Sequence, residues 1–280
     1  MLNELAGQAE MPVASTAEVD YDHGRNLHTV PAARAALQLL LADEKPGSLL
    51  DVGCGQGTWL RAALDLGIPE VMGIDGVAVT EADFLCPYRY FRQQNLCEPW
   101  DLARRFDLAL CLEVAEHLPD EAAPALIAAL VEHADAILFS AAAPRQPGQH
   151  HVNCQWPEYW QALFNEHGYA CTDAVRWQIW DSPDIEPWYR QNLFMAKRAP
   201  ETAGREDRVR PVLHPAMLEV MAPAIKNLAE IEAGIWPTSW YLSLLCKTAF
   251  RKLRRRMARL GARIARSGPR RQGHDFHNTV

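Results

Sequence analysis

Leu49-Leu50-Asp51-Val52-Gly53-Cys54-Gly55-Gln56-Gly57-Thr58-Trp59 decides the fold. The run from Ser48 to Val52 is short and apolar, as a strand buried on both faces must be. Glycines follow at alternate positions, and the helical pattern Trp59-Leu60-Arg61-Ala62-Ala63-Leu64 then begins. Strand, glycine turn and helix in that order build a ligand cradle at the carboxyl end of a parallel strand. Glycine admits positive φ and lets the backbone approach a ligand closely. A helix N-terminus presents free N–H groups to a carboxylate or phosphate. The spacing Asp51-x-Gly53-x-Gly55-x-Gly57 differs from the dinucleotide pattern G-x-G-x-x-G, and no Lys-Ser/Thr pair follows as in a P-loop.

Outward from this stretch, apolar runs alternate with helical patterns. Pro31 to Leu41 reads as a helix opened by its proline, and Thr58 to Leu66 as the helix after strand one. Val71–Ile74 is strand two and ends at Asp75; Tyr88–Phe91 feeds a third strand region that ends in Gln94-Asn95-Leu96. Phe106–Leu110 is strand four, Glu121 to His133 an Ala/Leu helix, and Ala136–Ser140 strand five. Pro157–His167 is a helix with proline in its first turn. The alternation implies an α/β fold with a doubly wound parallel sheet.

The glycine stretch, Val71-Met72-Gly73-Ile74-Asp75, Gln94-Asn95-Leu96 and Phe106 to His117 together resemble, in order, the motifs of class I S-adenosylmethionine (SAM) methyltransferases over roughly Gly47 to Arg198. The resemblance implies a seven-stranded Rossmann-like sheet, with Ala170–Trp180 and Asn192–Lys197 as its final antiparallel pair. It implies that Gly53, Gly55 and Gly57 pass under the methionine part of SAM, with Asp51 anchoring the loop and meeting the ammonium group. Asp75 then holds both ribose hydroxyls, since a carboxylate has acceptors for two donors. Asn95 and Leu96 flank the adenine; the family often has Asp at the Asn95 position. Cys54, Gly76, Leu112 and Glu113 complete the implied cofactor wall. The segment Tyr21-Asp22-His23-Gly24-Arg25-Asn26 reads either as a cap over SAM, touching it through Tyr21 or Arg25, or as a surface loop.

Glu113-x-x-Glu116-His117 follows strand four, and Gln149-His150-His151-Val152-Asn153 comes later. Carboxylates and imidazoles converging on a cleft suit a hard or borderline divalent cation such as Mg2+ or Mn2+. The pairing resembles metal-dependent O-methyltransferases that modify terminal ribose 2′-hydroxyls of small RNAs, and a related branch in quinone biosynthesis. It implies Glu113, Glu116, His117 and His151 as metal ligands. Metal-free relatives carry the same string, with its Glu against the SAM loop and its His capping a helix. Catalysis then falls to His150 or His151 as general base, beside Glu113.

Gln149 to Trp160 and Glu186 to Asn192 resemble segments of methyltransferases in bacterial surface-polysaccharide pathways. Aromatic rings stack on sugar C–H faces while amides and acids read hydroxyls. Trp156, Tyr159, Trp188, Tyr189 and Asn192 are therefore candidate substrate residues, or else core and rim packing. The expected acceptor is a sugar hydroxyl of a glycan or sugar nucleotide; an RNA 3′-terminal 2′-hydroxyl, another small molecule and a noncatalytic SAM-binding module are the rivals.

The chain has 280 residues, 49% of them hydrophobic, enough for one large domain and an appendage. We expect a cap and helix over 1–46, the methyltransferase domain over 47–198, a charged linker over 199–210, a helical extension over 211–266 and a disordered tail over 267–280. Seven scattered cysteines without a C-x-x-C pair argue for reduced thiols. Together with the lack of a secretory signal pattern or a long apolar run, they point to the cytoplasm. Charge is unevenly placed: residues 251–280 hold ten Lys/Arg against one acid, and residues 1–250 hold 18 against 34. The acidic body argues against nucleic acid as partner. In the tail, Phe250, Leu253, Met257, Leu260 and Ile264 fall on a 3-4-3-4 pattern with arginines between. Such an amphipathic stretch suits peripheral contact with the anionic inner face of a membrane, or else a partner or solvent. The sequence carries no sign of oligomeric state.

Overall fold

The structure, a computed structural model, describes residues 21–25 and 28–250. The N-terminal arm before Tyr21, the stripe beyond Phe250 and the tail lie outside the described residues. The chain divides into two compact units, Met1–Met221 and Ala222–Val280.

In the first unit, seven strands form one sheet: β1 (Ser48–Val52), β2 (Glu70–Asp75), β3 (Phe91–Gln93), β4 (Leu108–Leu112), β5 (Ala136–Ser140), β6 (Tyr169–Thr172) and β7 (Phe194–Arg198). Their order is β3-β2-β1-β4-β5-β7-β6. Every pair is parallel except β7, which runs antiparallel to both β5 and β6. The expected α/β sheet with a closing antiparallel pair is the fold observed.

Helices cover both faces. They are α1 (Val30–Leu40), α2 (Thr58–Asp65), α3 (Ala123–His133), α4 (Pro157–Glu166), α5 (Ala174–Ile179) and α6 (Pro187–Asn192); a further helix, α7 (Pro215–Glu232), runs from the first unit into the second. Strand residues alternate between two cores, as the pleat requires. Leu108, Leu110 and Leu112 of β4 join Leu37 and Leu60 on one side. Ala109 and Cys111 join Leu126, Ile127, Trp160 and Phe164 on the other. All five residues of β4 are buried, which is why this strand reads as an unbroken apolar run. Strand order reverses between β1 and β4, so a crevice opens beyond their carboxyl ends.

One short helix replaces sequence expected as strand, and another takes in the first residue of the last expected strand. Of Ala170–Trp180, only the start is extended, and Ala174–Ile179 is α5. The Thr172 hydroxyl accepts from the Ala174 amide at 3.3 Å and turns the chain. Val175, Arg176 and Ile179 are then buried at helical spacing. Asn192 ends α6 rather than opening β7, because Glu186-Pro187 starts a helical turn. The third strand stops at Gln93; Asn95 lies beyond it, its side-chain oxygen accepting from the Cys97 amide at 3.0 Å. Strand four begins at Leu108, and Phe106 forms only an isolated bridge to Ala134.

The stretch expected as a linker over 199–210 packs on α4. The Glu206 carboxylate accepts from Gln161, Asn165 and the Cys171 amide, and the Val209 amide donates to Gln161. These donors hold Glu206 down at a pKa of about 2. In the second unit, residues 238–250 are helical. Among the described residues, no helix is long and apolar enough to cross a membrane.

Candidate functional site

The glycine turn at the end of β1 is built around left-handed backbone. Gly53, Gly55 and Gly57 have φ of 77°, 50° and 82°. A Cβ on Gly53 would fall 2.3 Å from a Val114 methyl, and one on Gly57 2.7 Å from the Phe84 ring. Gly57 forms the N-cap of α2. These positions need glycine for both torsion and space.

Asp75, at the end of β2, fastens the turn. One carboxylate oxygen accepts from the Gly55 amide at 2.8 Å and the other from the Val77 amide at 2.8 Å. Asp51 is 2% exposed, and one of its oxygens has no hydrogen-bond partner among the described residues. Burial, and then the charge of Asp75, push its pKa up to about 8. A ligand ammonium at this corner would supply the missing partner and favour the ionised acid.

His23, which the sequence reading passed over, lies on this turn. Its ring stands 3.1 Å from where a Gly55 Cβ would be, and its Nε2 is 3.7 Å from Asp75. Tyr21 packs edge-on against both His23 and His117, with centroids 5.1 and 4.8 Å apart. The cap segment thus touches the glycine corner and the histidines beyond β4.

Those histidines gather around Glu116. The 3-10 turn Ala115–His117 follows β4, and Glu116 within it is wholly buried. The Glu116 carbonyl accepts from the Val152 and Asn153 amides at 2.9 and 3.0 Å, which pins the later loop to this turn. His151 Nε2 thereby stands 4.0 Å from the Glu116 carboxylate. His151 Nδ1 pairs with the Gln146 carbonyl at 3.0 Å, so it carries the proton and Nε2 is left as the acceptor. His117 packs against His151 at 5.0 Å. One ligand atom each from Glu116, His117 and His151 fall within 4.8 Å of one another.

Neither Glu116 oxygen makes a full hydrogen bond among the described residues, although the Glu116 and Ala142 amides and the Glu113 carboxyl stand close to it. Burial, then the neighbouring Glu113 carboxylate, push its pKa well up. Burial, then His151, pull His117 down to about 4. His151 is also lowered by burial, so both imidazoles are neutral at pH 7. Neutral imidazoles beside a carboxylate that lacks a full hydrogen bond form a donor set suited to a divalent ion.

Glu113 is not part of that cluster. Its φ is 56°, and amides hold its carboxylate: Gln146 donates at 2.8 Å and Asn192 at 3.1 Å. Asn192, expected to meet substrate, is buried and spends its amide on Glu113 and Gln146. Gln146 is a residue the sequence reading missed. No spacing marks it, because its partners come from β4, α6 and the histidine loop.

A cleft of about 1310 Å³ joins these parts. It is lined by Asp51, Gly53, Cys54, Gly55, Asp75, Gly76, Asn95 and Leu96, by Leu112, Glu113, Glu116 and His117, and by His150, His151, Trp188 and Tyr189. Gly57 does not line it. Trp188 is half-buried; Tyr189 is buried and receives the Trp59 indole N–H at 3.4 Å. Trp156 and Tyr159 line a separate groove with Glu206 and Arg208, so the structure does not gather all five candidate substrate residues. His150 is exposed at the cleft with φ 48°.

A protein-family profile described as "Methyltransferase domain" matches residues 21–181. The chain belongs to the methyltransferase-domain family. The enzyme class expected from the sequence, a SAM-dependent methyltransferase, is that of this family. No curated protein matches the chain. Among solved structures, the chain is similar to DhpI in complex with S-adenosylhomocysteine, at 21% identity and TM-score 0.43 over 61% of this chain and 85% of that one. It is similar to DesVI of Streptomyces venezuelae at 14% identity and TM-score 0.46, over 61% and 92% of the two chains. The plantazolicin methyltransferase BpumL in complex with S-adenosylhomocysteine is similar at 15% identity and TM-score 0.42, over 60% and 83%.

Proposed function

We propose that this methyltransferase moves the SAM methyl group to a sugar hydroxyl of a glycan or sugar nucleotide, with a divalent cation held by Glu116, His117 and His151. One observation carries the cation: a fully buried carboxylate with no full hydrogen bond among the described residues faces two neutral imidazoles. An ionised carboxylate left this way costs several kcal/mol unless a cation or donor meets it. When bound, a divalent ion lowers the pKa of a coordinated alcohol that no side chain deprotonates at pH 7.

The chain's own residues divide the remaining work. Asp75 takes the ribose hydroxyls, and Asp51 takes the ammonium. Gln146 and Asn192 hold Glu113 in its left-handed turn at the cleft wall. In transfer, the acceptor oxygen forms a bond to the methyl carbon as the sulfonium C–S bond breaks. The products are the methyl ether, S-adenosylhomocysteine and one proton. His150, exposed at the cleft, takes that proton to solvent in this proposal. Trp188 beside the cleft supports a sugar acceptor by offering a ring to its C–H face.

The test is methyl transfer from labelled SAM to oligosaccharides, sugar nucleotides and short RNAs, with and without EDTA. The proposal expects product on a sugar hydroxyl, lost with chelator and regained with Mg2+ or Mn2+. Transfer to RNA alone overturns the acceptor, and undiminished transfer in EDTA overturns the cation.

A further inference from the structure

The helix over 238–250 carries an exposed apolar stripe. Leu242, Leu245, Cys246, Ala249 and Phe250 recur at i, i+3, i+4, i+7 and i+8, which places them on one stripe. Leu242 is 57% exposed, Leu245 65% and Phe250 68%. Every residue from 242 to 250 is exposed. Trp236, Trp240 and Tyr241 cluster just before the stripe, with ring centroids 4.7 and 5.2 Å apart. Large apolar side chains exposed in a row mark an interaction surface.

The neighbouring sequence says what kind. Residues 251–280 hold ten Lys/Arg against one acid, in a chain whose first 250 residues are strongly acidic. We infer that the 238–250 helix lays its Leu242–Leu245–Phe250 face on an anionic lipid surface, drawn there by the basic residues that follow it. Apolar side chains enter the acyl boundary while Lys/Arg meet the headgroups. Tryptophan and tyrosine at the same end suit the interface between water and hydrocarbon. RNA would use the arginines but leaves a Leu/Phe stripe uncovered. A second copy would cover the stripe but brings ten further positive charges beside the first ten. Lipid alone accommodates both features.

The experiment is vesicle flotation of the full chain with phosphatidylcholine vesicles and with vesicles containing phosphatidylglycerol. Wild type is expected to float with the anionic vesicles only, and to be released by 1 M salt, where the screening length is about 3 Å. Leu242→Glu together with Leu245→Glu is expected to cut flotation at least tenfold. SAM affinity by calorimetry reports that the first unit of the double variant is still folded. A milder pair, Leu242→Ser and Leu245→Ser, is measured in parallel in case the glutamates unfold the helix. Failure of wild type to float, or flotation of both variant pairs at the wild-type level, overturns the inference. So does sedimentation of wild type as a lipid-independent dimer that the glutamates dissociate.

Discussion

The corner after β1 and the corner after β4 both hold buried acids, and they treat them differently. At the first, Asp75 is met by two backbone amides, from Gly55 and Val77. Those donors lie within or beside the glycine turn, so the corner is assembled by local chain geometry. At the second, the Glu116 carboxylate makes no full hydrogen bond among the described residues, although two imidazoles stand around it. One of them, His151, arrives from a distant loop pinned by backbone bonds to the Glu116 carbonyl. At the first corner Asp75 is complete as protein, and Asp51 alone keeps an oxygen without a partner among the described residues. The second is arranged as if a positive ion were its missing part.

Removing the acid from each corner should therefore have opposite effects on folding. Asp75→Ala takes away the partner of two amides and of the ribose hydroxyls. Hydrogen bonds to a charged group contribute about 1.5–3 kcal/mol each, so SAM affinity by calorimetry should fall about 100-fold or more, and the melting temperature with it. Affinity within threefold of wild type would remove the ribose assignment.

Glu116→Gln should instead raise the melting temperature in EDTA, since it removes a carboxyl that must take up a proton to be buried. It should cost activity at least the ~10–100-fold that even outer partners of metal sites contribute. A variant that melts lower in EDTA and keeps full activity would erase the contrast between the corners.

Asp51 sharpens the comparison through pH. Its folded pKa of about 8 lies above the unfolded value, so the folded chain binds the extra proton. Stability is then lost as pH rises from about 4 towards 8, because the unfolded state gives up its proton first. SAM binding at pH 7 should release a proton as its ammonium draws out the carboxylate. Calorimetry in buffers of differing ionisation enthalpy should detect that release in wild type and not in Asp51→Asn. Equal release in both would assign the proton elsewhere.

The smallest effect is expected at Trp156, which lines a groove apart from the cleft. Trp156→Ala should leave SAM binding and folding free energies within about the ±0.5 kcal/mol usual for surface changes. A large loss of SAM affinity would connect the two cavities.

What could be read from sequence follows the same division. The strand, glycine turn and carboxylates of the first corner lie in short motifs whose spacing is the geometry, so Asp51, Gly55 and Asp75 were legible. The second corner was legible only as a set of ligand-forming residue types. That Glu113 leaves the set depends on Gln146 and Asn192, brought to it from other elements by the packing of α6 and the histidine loop. His23 was missed because a lone histidine in a polar arm has no periodicity. The short helices α5 and α6 are hard to read because the Val, Ile and aromatic residues of α5 and the aromatic pair of α6 favour strand, while the Thr172 turn and Pro187 in the first turn of α6 favour helix.

The most direct test of the cation is Mn2+ binding to the SAM-saturated full chain, followed by electron paramagnetic resonance. The account predicts one bound ion per chain, lost in Glu116→Gln and in His151→Ala while SAM affinity is retained. An unchanged free-Mn2+ spectrum with wild-type protein in excess would contradict it.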